Sequence, residues 1–303
     1  MNIFVAGASG AIGQPLITEL IRQGHTVTGM THSQAGASNL MALGANVAEV
    51  DAFDAAGIEQ ALSRAKAEVV IDQLTSLPKD PADMAAAAAG DRRLRLEGGG
   101  YLYRAARAVG VRRYLQQSSG FFLRSGKGLA DETQALAVDA SPGVAAAART
   151  YTELEQRVLA DGPMEGIALR YGFFYGPKTW YSPDGACGEQ ARRGQIPLIG
   201  NGEGVWSFVH IQDAARATVA ALSAPKGVYH IVDDDPSPVS VWLPAFARWV
   251  GAPPPPVLSE SEAREKAGED RVYYGTKLRG ASNAKAKSTL GFQPRRLEFL
   301  SQS

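Results

Sequence analysis

Three evenly spaced glycines near the start of the chain could bind a nucleotide. In GASGAIG, Gly7 permits a tight turn, Gly10 lets a phosphate approach the backbone, and Gly13 lets a helix pack closely on a strand. The first N–H groups of that helix then face the pyrophosphate. An apolar strand precedes the stretch and an amphipathic helix follows it, so the spacing predicts dinucleotide binding rather than a merely structural turn. The residues assigned to this contact are Gly7, Ser9, Gly10, Ala11, Ile12 and Gly13.

The choice of dinucleotide depends on the end of the second strand, HTVTGMT. An acidic residue there would bind the adenosine ribose of NAD. This chain has Thr31, His32 and Ser33 instead, which carry no carboxylate to repel a 2′-phosphate and could donate hydrogen bonds to one. The sequence therefore favours NADP, with NAD as the alternative because no arginine stands there to bind the phosphate. The three residues could also form only a solvated turn.

Strand and helix patterns alternate regularly around these residues. HTVTGMT, ANVAEVD and AEVVIDQLT have the composition of buried strands, and helical spacing of apolar residues follows or precedes each of them. Such alternation favours parallel strands joined by right-handed crossovers. The predicted fold class is α/β, with a Rossmann-type doubly wound parallel sheet and a smaller C-terminal substrate lobe.

Beyond Gly176 the chain becomes rich in glycine and proline, which break regular strands and helices. We therefore expect residues 1–172 to form the NAD(P)-binding domain, with residues 205–232 returning to the sheet. Residues 173–204 and 233–303 would form the substrate-binding lobe. The run GGGYLYRAA, with its small residues, would suit close helix packing in a homodimer.

Composition limits the partners and the location. Lysine and arginine total 31 and aspartate and glutamate total 31, so no basic surface indicates a nucleic acid or an anionic membrane. Cys187 is the single cysteine, lies in no metal-binding spacing and cannot form an intramolecular disulfide. No run approaches the roughly 18 apolar residues of a membrane-spanning helix. We expect a cytoplasmic protein that binds a small-molecule substrate and no metal.

Several stretches together carry a family resemblance: GASGAIG, VDAFDAAGIEQAL, LRYGFFYGP, SFVHIQDAARA and NAKAKSTLGFQP. They are similar to the extended, atypical short-chain dehydrogenase/reductases, in particular the NAD(P)-dependent epimerase/dehydratase-like proteins. The resemblance covers nearly the whole chain. It implies a doubly wound sheet, a nicotinamide cofactor and a variable C-terminal lobe that selects the substrate.

The resemblance also implies positions for the two ends of the cofactor. Asp51 and Ala52 would lie beside the adenine. From the residues alone, Asp51 could equally cap a helix, because it ends a strand before a helix. The positions implied toward the nicotinamide are Leu74, Thr75, Ser76, Phe173 and Phe174.

The family's catalytic centre uses a Ser or Thr after the fifth strand and a Tyr-x-x-x-Lys pair on the next helix. Ser118 or Ser119 takes the serine position, and RTYTELEQ supplies Tyr151, followed by Glu155 where lysine is expected. A carboxylate near a phenol should raise its pKa and oppose the tyrosinate. In one interpretation Tyr151 is a neutral proton donor and Glu155 accepts a ribose hydroxyl. In the other, both are ordinary helix residues.

Other residues depart from the family pattern or suggest chemistry. Arg95 stands where the family often has asparagine, and Lys178 could supply the missing positive charge, although a solvated loop lysine is the plainer interpretation. His210 and Asp213 look like a paired acid and base. By the resemblance they belong to a strand-to-helix junction in which Asp213 caps the helix.

The leading functional hypothesis is an NAD(P)-dependent oxidoreductase of the extended short-chain dehydrogenase/reductase type, acting on a small carbonyl or alcohol. A second is a non-redox isomerase, lyase or hydrolase on the same scaffold. A third is a binding protein that senses NADP(H), which the loss of the catalytic lysine would permit.

Overall fold

A computed structural model describes residues 1–301 of the chain and contains a seven-stranded parallel sheet. The strands are β1 (Asn2–Ala6), β2 (Thr26–Thr31), β3 (Asn46–Glu49), β4 (Val69–Asp72), β5 (Arg113–Ser119), β6 (Glu165–Tyr171), β7 (Phe173–Tyr175), β8 (Leu198–Ile199), β9 (Val205–Trp206), β10 (Phe208–His210), β11 (Gly227–Ile231), β12 (Ser237–Pro238) and β13 (Val257–Leu258). The α-helices are α1 (Gly13–Arg22), α2 (Gln34–Ala42), α3 (Ala55–Ala65), α4 (Met84–Arg93), α5 (Gly99–Ala108), α6 (Pro142–Leu159), α7 (Ala186–Arg192), α8 (Ile211–Ala220), α9 (Val239–Trp249), α10 (Glu260–Thr276) and α11 (Ala284–Leu290).

The sheet is doubly wound, which confirms the predicted fold class. Its order is β3-β2-β1-β4-β5-β6-β11, and every neighbouring pair is parallel. One layer, with α1, α2, α8 and α11, covers one face, and α3, α5 and α6 cover the other. Strands β2 and β3 are added on one side of β1, and β4, β5 and β6 on the other, so the strand order switches between β1 and β4. Ligands of such sheets bind in the crevice at that switch point.

The helix after the glycine turn forms where its apolar spacing predicts it. Leu16, Ile17 and Leu20 recur on one face of α1 and are fully buried against the sheet. Gly24, just beyond its end, adopts a positive φ of 80° that favours glycine. The same core receives α8, so α1 is packed on two sides.

The three consecutive glycines at the start of α5, Gly98 to Gly100, serve packing inside the chain. Gly98 ends a π-helical turn, Leu94–Gly98, and a side chain there would lie 3.2 Å from Ala52. A side chain at Gly99 would lie 3.0 Å from the Asp72 carboxylate. All three glycines are buried. The chain's own residues already cover these glycines, and the homodimer stays a prediction.

A second core lies on the C-terminal side of β6. The short strands pair as β7 with β10, β9 with β12, and β8 with β13, outside the large sheet. Its buried aromatic side chains include Tyr175, Trp206, Phe208, Trp242 and Phe246. Because β7 directly follows β6, this second core continues from the carboxyl edge of the main sheet.

A buried ion pair joins α6 to the middle of the sheet. The guanidinium of Arg170 on β6 donates from Nε and Nη2 to the two carboxylate oxygens of Glu155, each at 2.7 Å. The Ser118 hydroxyl on β5 donates to the same carboxylate at 2.6 Å. Both charged side chains are less than a tenth exposed. Breaking such a pair leaves an uncompensated buried charge, which costs about 3–5 kcal/mol.

His230 on β11 extends this network on its sheet side. Its Nε2 lies 3.4 Å from Arg170 Nη1, and its Nδ1 lies 3.2 Å from the Ser282 carbonyl oxygen. A neutral ring with the proton on Nδ1 fits both contacts, since it donates to the carbonyl and accepts from the guanidinium. Burial, with the Arg170 charge second, lowers the pKa of His230 to about 4.

The low pKa of His230 predicts acid sensitivity. Between pH 6.5 and about 4 the unfolded chain binds a proton at this residue that the folded chain does not, so stability falls as pH falls. We expect His230 to contribute about 2 kcal/mol to the loss of unfolding free energy between pH 7 and pH 5. Denaturant unfolding of the parent and of His230→Gln at both pH values measures it, with surface-exposed His32→Gln as control. A parent that loses no more stability than His230→Gln would contradict the prediction.

Candidate active site

The glycine turn has two glycines that the fold requires and one that faces open space. A Cβ at Gly7, where φ is 72°, would lie 2.3 Å from the Gln73 carbonyl oxygen, and a Cβ at Gly13 would lie 2.3 Å from the Ala8 carbonyl oxygen. A Cβ at Gly10 would meet only the Gly7 carbonyl oxygen, at 3.2 Å. Gly7 and Gly13 therefore bring α1, β1 and β4 together, and Gly10 leaves room for a ligand.

The start of α1 offers uncompensated positive partial charge beside that room. Within the described chain, no side chain caps this end and its first turn carries no acidic residue. The first N–H groups of such a helix are unsatisfied and attract an anion. Ser9, Gly10 and Ala11 are exposed here, whereas Ile12 is buried in the core. The turn thus has the shape and polarity that a dinucleotide pyrophosphate needs.

Only one of the three residues predicted at the end of β2 is turned toward a ligand. Thr31 is buried, and its hydroxyl oxygen accepts from the Ser33 amide at 3.3 Å. The Ser33 hydroxyl oxygen in turn accepts from the Gly36 amide and caps α2. His32 lines an open depression together with Gln34. Thr31 and Ser33 complete the turn, and His32 is the residue that can meet a phosphate.

The depression beside His32 also contains two carboxylates, Glu49 and Asp51. The residues at the end of β2 give no sign of Glu49, which comes from the neighbouring parallel strand β3. That strand ends at the same edge, with Thr31 paired to Glu49. Asp51 accepts from the Phe53 amide at 2.8 Å. It does not cap α3, since Asp54 does so by accepting from the Gly57 amide.

Ala52 follows Asp51 in the chain but is not among the residues that line this depression. Its side chain is 8% exposed and packs toward Gly98. The place of Ala52 beside an adenine stays a prediction.

On the other side of the glycine turn, the loop after β4 is fixed by two aspartates. Asp72 accepts from the Leu74 amide at 3.0 Å, and Asp91 of α4 accepts from the Ser76 amide at 2.6 Å. Leu74 is buried, and Thr75 between the two anchored residues is half-buried. This loop borders the crevice next to the carboxyl end of β5.

The two serines at the end of β5 have different partners. The Ser118 hydroxyl donates a hydrogen bond to Glu155 Oε1 at 2.6 Å and belongs to the buried network. Ser119 is buried on the opposite face, where its oxygen accepts weakly from the Phe121 amide at 3.4 Å. Among the described residues, nothing accepts the hydroxyl proton of Ser119. Of the two candidates, Ser119 is the one that can donate to a ligand.

Glu155 and Tyr151 lie one turn apart along α6, at different distances from the carboxyl edge of the sheet. The end of this helix meets the start of β6, where a side chain at Gly166 would collide with the Val158 carbonyl oxygen. Glu155, one turn closer to the carboxyl edge of the sheet, binds Arg170 with both oxygens. Tyr151 is a further turn toward that edge. The interpretation in which Glu155 accepts a ribose hydroxyl and acts on the phenol is therefore wrong for this geometry.

The charge that faces Tyr151 is Arg95. The guanidinium carbon of Arg95 lies 5.1 Å from the centroid of the Tyr151 ring, and the Phe122 ring is 5.8 Å away. Burial raises the pKa of Tyr151, and the nearby Arg95 charge partly opposes that rise. Tyr151 is therefore a neutral phenol at physiological pH, as expected, but for a different physical reason.

Phe173 and Phe174 point to opposite sides of β7, as successive strand residues do. Phe173 stacks between Phe121 and Trp206, with both ring centroids 4.0 Å away and interplanar angles of 20° and 18°. Phe174 turns back onto Tyr171 of the sheet, 5.3 Å away. Phe173 thus belongs to an aromatic wall with Phe121 and Trp206, whereas Phe174 packs on the other side of β7, and a place for either ring near the nicotinamide stays a prediction.

The remaining candidates have structural contacts. His210 accepts from the Gln212 amide through Nδ1 and caps α8, so Asp213 is not the cap. Asp213 is buried and accepts from the backbone and side chain of Arg295. Lys178 donates to Gln14 Oε1 at 2.8 Å, in the first turn of α1.

Within residues 1–301, no three His, Cys, Asp or Glu side chains are grouped so that they could hold a metal ion. Over the same residues, none of the helices combines the length and apolar character needed to cross a membrane.

Known proteins share the sequence and the fold. The profile of the NAD dependent epimerase/dehydratase family matches residues 3–232. A Streptomyces protein named 3-diazoavenalumate denitrifying reductase is 41% identical over 297 residues, which are 97% of this chain and 96% of that protein.

Solved structures share the fold at lower identity. UDP-glucose 4-epimerase of Thermotoga maritima, solved with UDP-glucose, superposes with a TM-score of 0.75 at 23% identity and covers 99% of this chain and 96% of its own. UDP-glucose 4-epimerase of Thermus thermophilus, solved with NAD, gives a TM-score of 0.72 at 22% identity, with 97% and 94% covered.

The turn geometry predicts separate effects for two glycines. Gly10→Val should abolish dinucleotide binding and change the unfolding free energy by no more than about 1 kcal/mol, because the added side chain occupies only the ligand's space. Gly13→Ala should instead destabilise the fold, since its Cβ meets the Ala8 carbonyl oxygen. Calorimetric titration with NADPH and denaturant unfolding measure both, with Gly90→Ala on exposed α4 as control. A Gly10→Val protein that binds NADPH like the parent would refute this account of the turn.

Proposed function

This chain belongs to the NAD-dependent epimerase/dehydratase family, and on that premise we propose that it is a reductase that takes hydride from a nicotinamide cofactor and gives it to an aromatic small molecule. The 41% identical Streptomyces protein, itself named a reductase, supports the reaction type. The glycine turn, the open space at Gly10 and the start of α1 fit the cofactor's pyrophosphate.

We infer an aromatic substrate from the aromatic wall of Phe121, Phe173 and Trp206. Phe173, Phe121 and Trp206 form a parallel stack after the carboxyl ends of β5 and β6. Tyr274 extends it, 5.8 Å from Trp206. The two faces of Phe173 are filled by its neighbours, so a flat aromatic molecule would contact the half-buried edges of Phe121, Phe173 and Tyr274. A substrate lying along this wall is next to Ser119 and Tyr151, at the end of the crevice where the nicotinamide would lie.

Within that class, we propose an aromatic carboxylate that carries a diazonium group. The relative's name specifies a diazo compound and its denitrification. The reduced cofactor supplies hydride, which forms a C–H bond at the ring carbon as the C–N bond breaks and its electron pair leaves with dinitrogen. This exchange balances without a proton donor. Aromatic faces also favour a planar cation.

The helix that carries Tyr151 is consistent with such a reaction. Its sequence, PGVAAAARTYTELEQRVL, contains no lysine that could ionise the phenol. Tyr151 is left as a neutral hydroxyl that can bind the substrate or cofactor. A carbonyl substrate, by contrast, would need a proton, and a neutral phenol in the cleft is able to give one. Carbonyl reduction with Tyr151 as donor is therefore the second candidate function.

One substitution separates the two candidates. With 4-carboxybenzenediazonium and NADPH, we expect one benzoate formed per NADPH oxidised, and Tyr151→Phe should keep the parent's kcat to within about threefold because no proton is needed. With a carbonyl substrate, the same change should lower kcat by about 100-fold or more. Chromatography of benzoate and the absorbance of NADPH measure this, with an enzyme-free reaction as control. Reduction of carbonyls but not of diazonium ions would refute the first candidate.

We further propose that the cofactor is NADP(H). His32 can donate to a 2′-phosphate from the rim of the depression, whereas Glu49 and Asp51 oppose a negative charge there. Thr31 takes no part, because it is buried. The preference then depends on the balance between one imidazole and two carboxylates, and it should be easy to reverse.

Replacing His32 tests that preference. His32→Asp should weaken NADPH binding by about tenfold or more and change NADH binding little, because only NADPH has a phosphate for the new carboxylate to repel. Glu49→Gln should act in the opposite direction. Calorimetric Kd values measure both, and Ser38→Asp, which adds the same charge on the exposed side of α2, is the control. A parent that binds NADH more tightly than NADPH would contradict the proposal.

A further inference from the structure

Arg95 is a buried cation with one group left unpaired. It lies in the π-helical turn between α4 and α5 and is only 4% exposed. Its Nε donates to Asp91 at 2.6 Å. Among the residues that the structure describes, its buried Nη1 has no acceptor. Leaving a charged donor buried and unpaired carries a large desolvation cost, so an acceptor must come from elsewhere.

The neighbouring acceptors of the chain are already engaged. Asp91 accepts from Arg95 with one oxygen and from the Ser76 amide with the other. Asp72 accepts from the Leu74 amide and from the Tyr114 hydroxyl. The ring of Tyr151 covers the guanidinium but offers a face, not a lone pair. Neither these carboxylates nor the Tyr151 ring gives Nη1 an acceptor, and a ligand bound in the crevice can supply one.

The sheet topology indicates which part of a ligand reaches Arg95. A dinucleotide whose pyrophosphate lies on the glycine turn extends one half over β2 and β3, where His32 and Asp51 lie, and the other half over the ends of β4 and β5. Arg95 is tied through Asp91 to the loop after β4 and lies against Tyr151 of α6. It therefore lies beside the second half, which carries the nicotinamide.

We propose that Arg95 donates its free N–H group to the ribose on the nicotinamide half of the cofactor, beside Tyr151. The proposal rests on the cofactor part of the proposed function. The positive charge beside the ribose then comes from Arg95 in the π-helical turn, and not from a residue of α6. π-Helical turns often occur at functional sites, because the wider turn redirects a side chain.

Two ligands test the contact without any turnover. NADPH contains the nicotinamide ribose, and 2′,5′-ADP contains only the adenosine half with its 2′-phosphate. We expect Arg95→Met to raise the Kd of NADPH by about tenfold and that of 2′,5′-ADP by less than about twofold, as a lost charge-assisted hydrogen bond implies. Arg92→Met, which removes an exposed arginine one position beyond Asp91, should change neither. If the parent binds NADH instead, NADH and AMP replace this pair.

The outcomes separate this proposal from the one on which it rests. Equal weakening of both ligands, or no weakening of NADPH, overturns the role of Arg95. So does a change confined to the KM of the substrate, which would place the acceptor there. If Arg95→Met does not fold, Arg95→Lys, which keeps the charge but lacks the fork of N–H groups, should show a smaller loss that is again selective for NADPH. A parent that binds NADPH but reduces no diazonium ion refutes the substrate and leaves Arg95 assigned.

Discussion

The buried ion pair between Glu155 and Arg170 is the interaction on which the geometry of the site depends. Three strands and one helix meet at it, because Ser118 and His230 bind the same two charges from β5 and β11. A charge removed from water at this depth is stable only while its partners stay in place. The pair therefore fixes how far α6 can slide along the sheet, and so fixes Tyr151 near the sheet's carboxyl edge.

Because Arg170 and Ser118 bind the Glu155 carboxylate, Glu155 has no oxygen left to act on Tyr151. The phenol of Tyr151 faces Arg95 and aromatic rings, and burial raises the pKa of Tyr151 and Tyr274. The cleft thus presents neutral phenols at physiological pH. Diazonium ions couple readily with phenolates, so a cleft that keeps its tyrosines protonated is compatible with such a substrate. A Tyr-Lys pair, which ionises the phenol, would be less so.

The parts of this account that sequence reasoning reached are those encoded locally. The glycine turn and the alternation of strands and helices depend on neighbours within a few residues, and the predicted fold was confirmed on that basis. The misses depend on partners distant in sequence or on side-chain direction. Strand pairing brings Glu49 beside His32, Glu155 binds Arg170 on another element, and Phe174 turns away from Phe173. Spacing along one helix could not reveal which of these groups was already bound.

A crystal structure of the complex with NADP⁺ tests the central claim most directly. The account predicts that the pyrophosphate lies at the start of α1, that the Glu155 carboxylate stays on Arg170 and Ser118, and that Tyr151 contacts the nicotinamide half. A Glu155 carboxylate that leaves Arg170 to accept a hydrogen bond from a ribose hydroxyl would contradict it, and so would a dinucleotide bound away from the glycine turn.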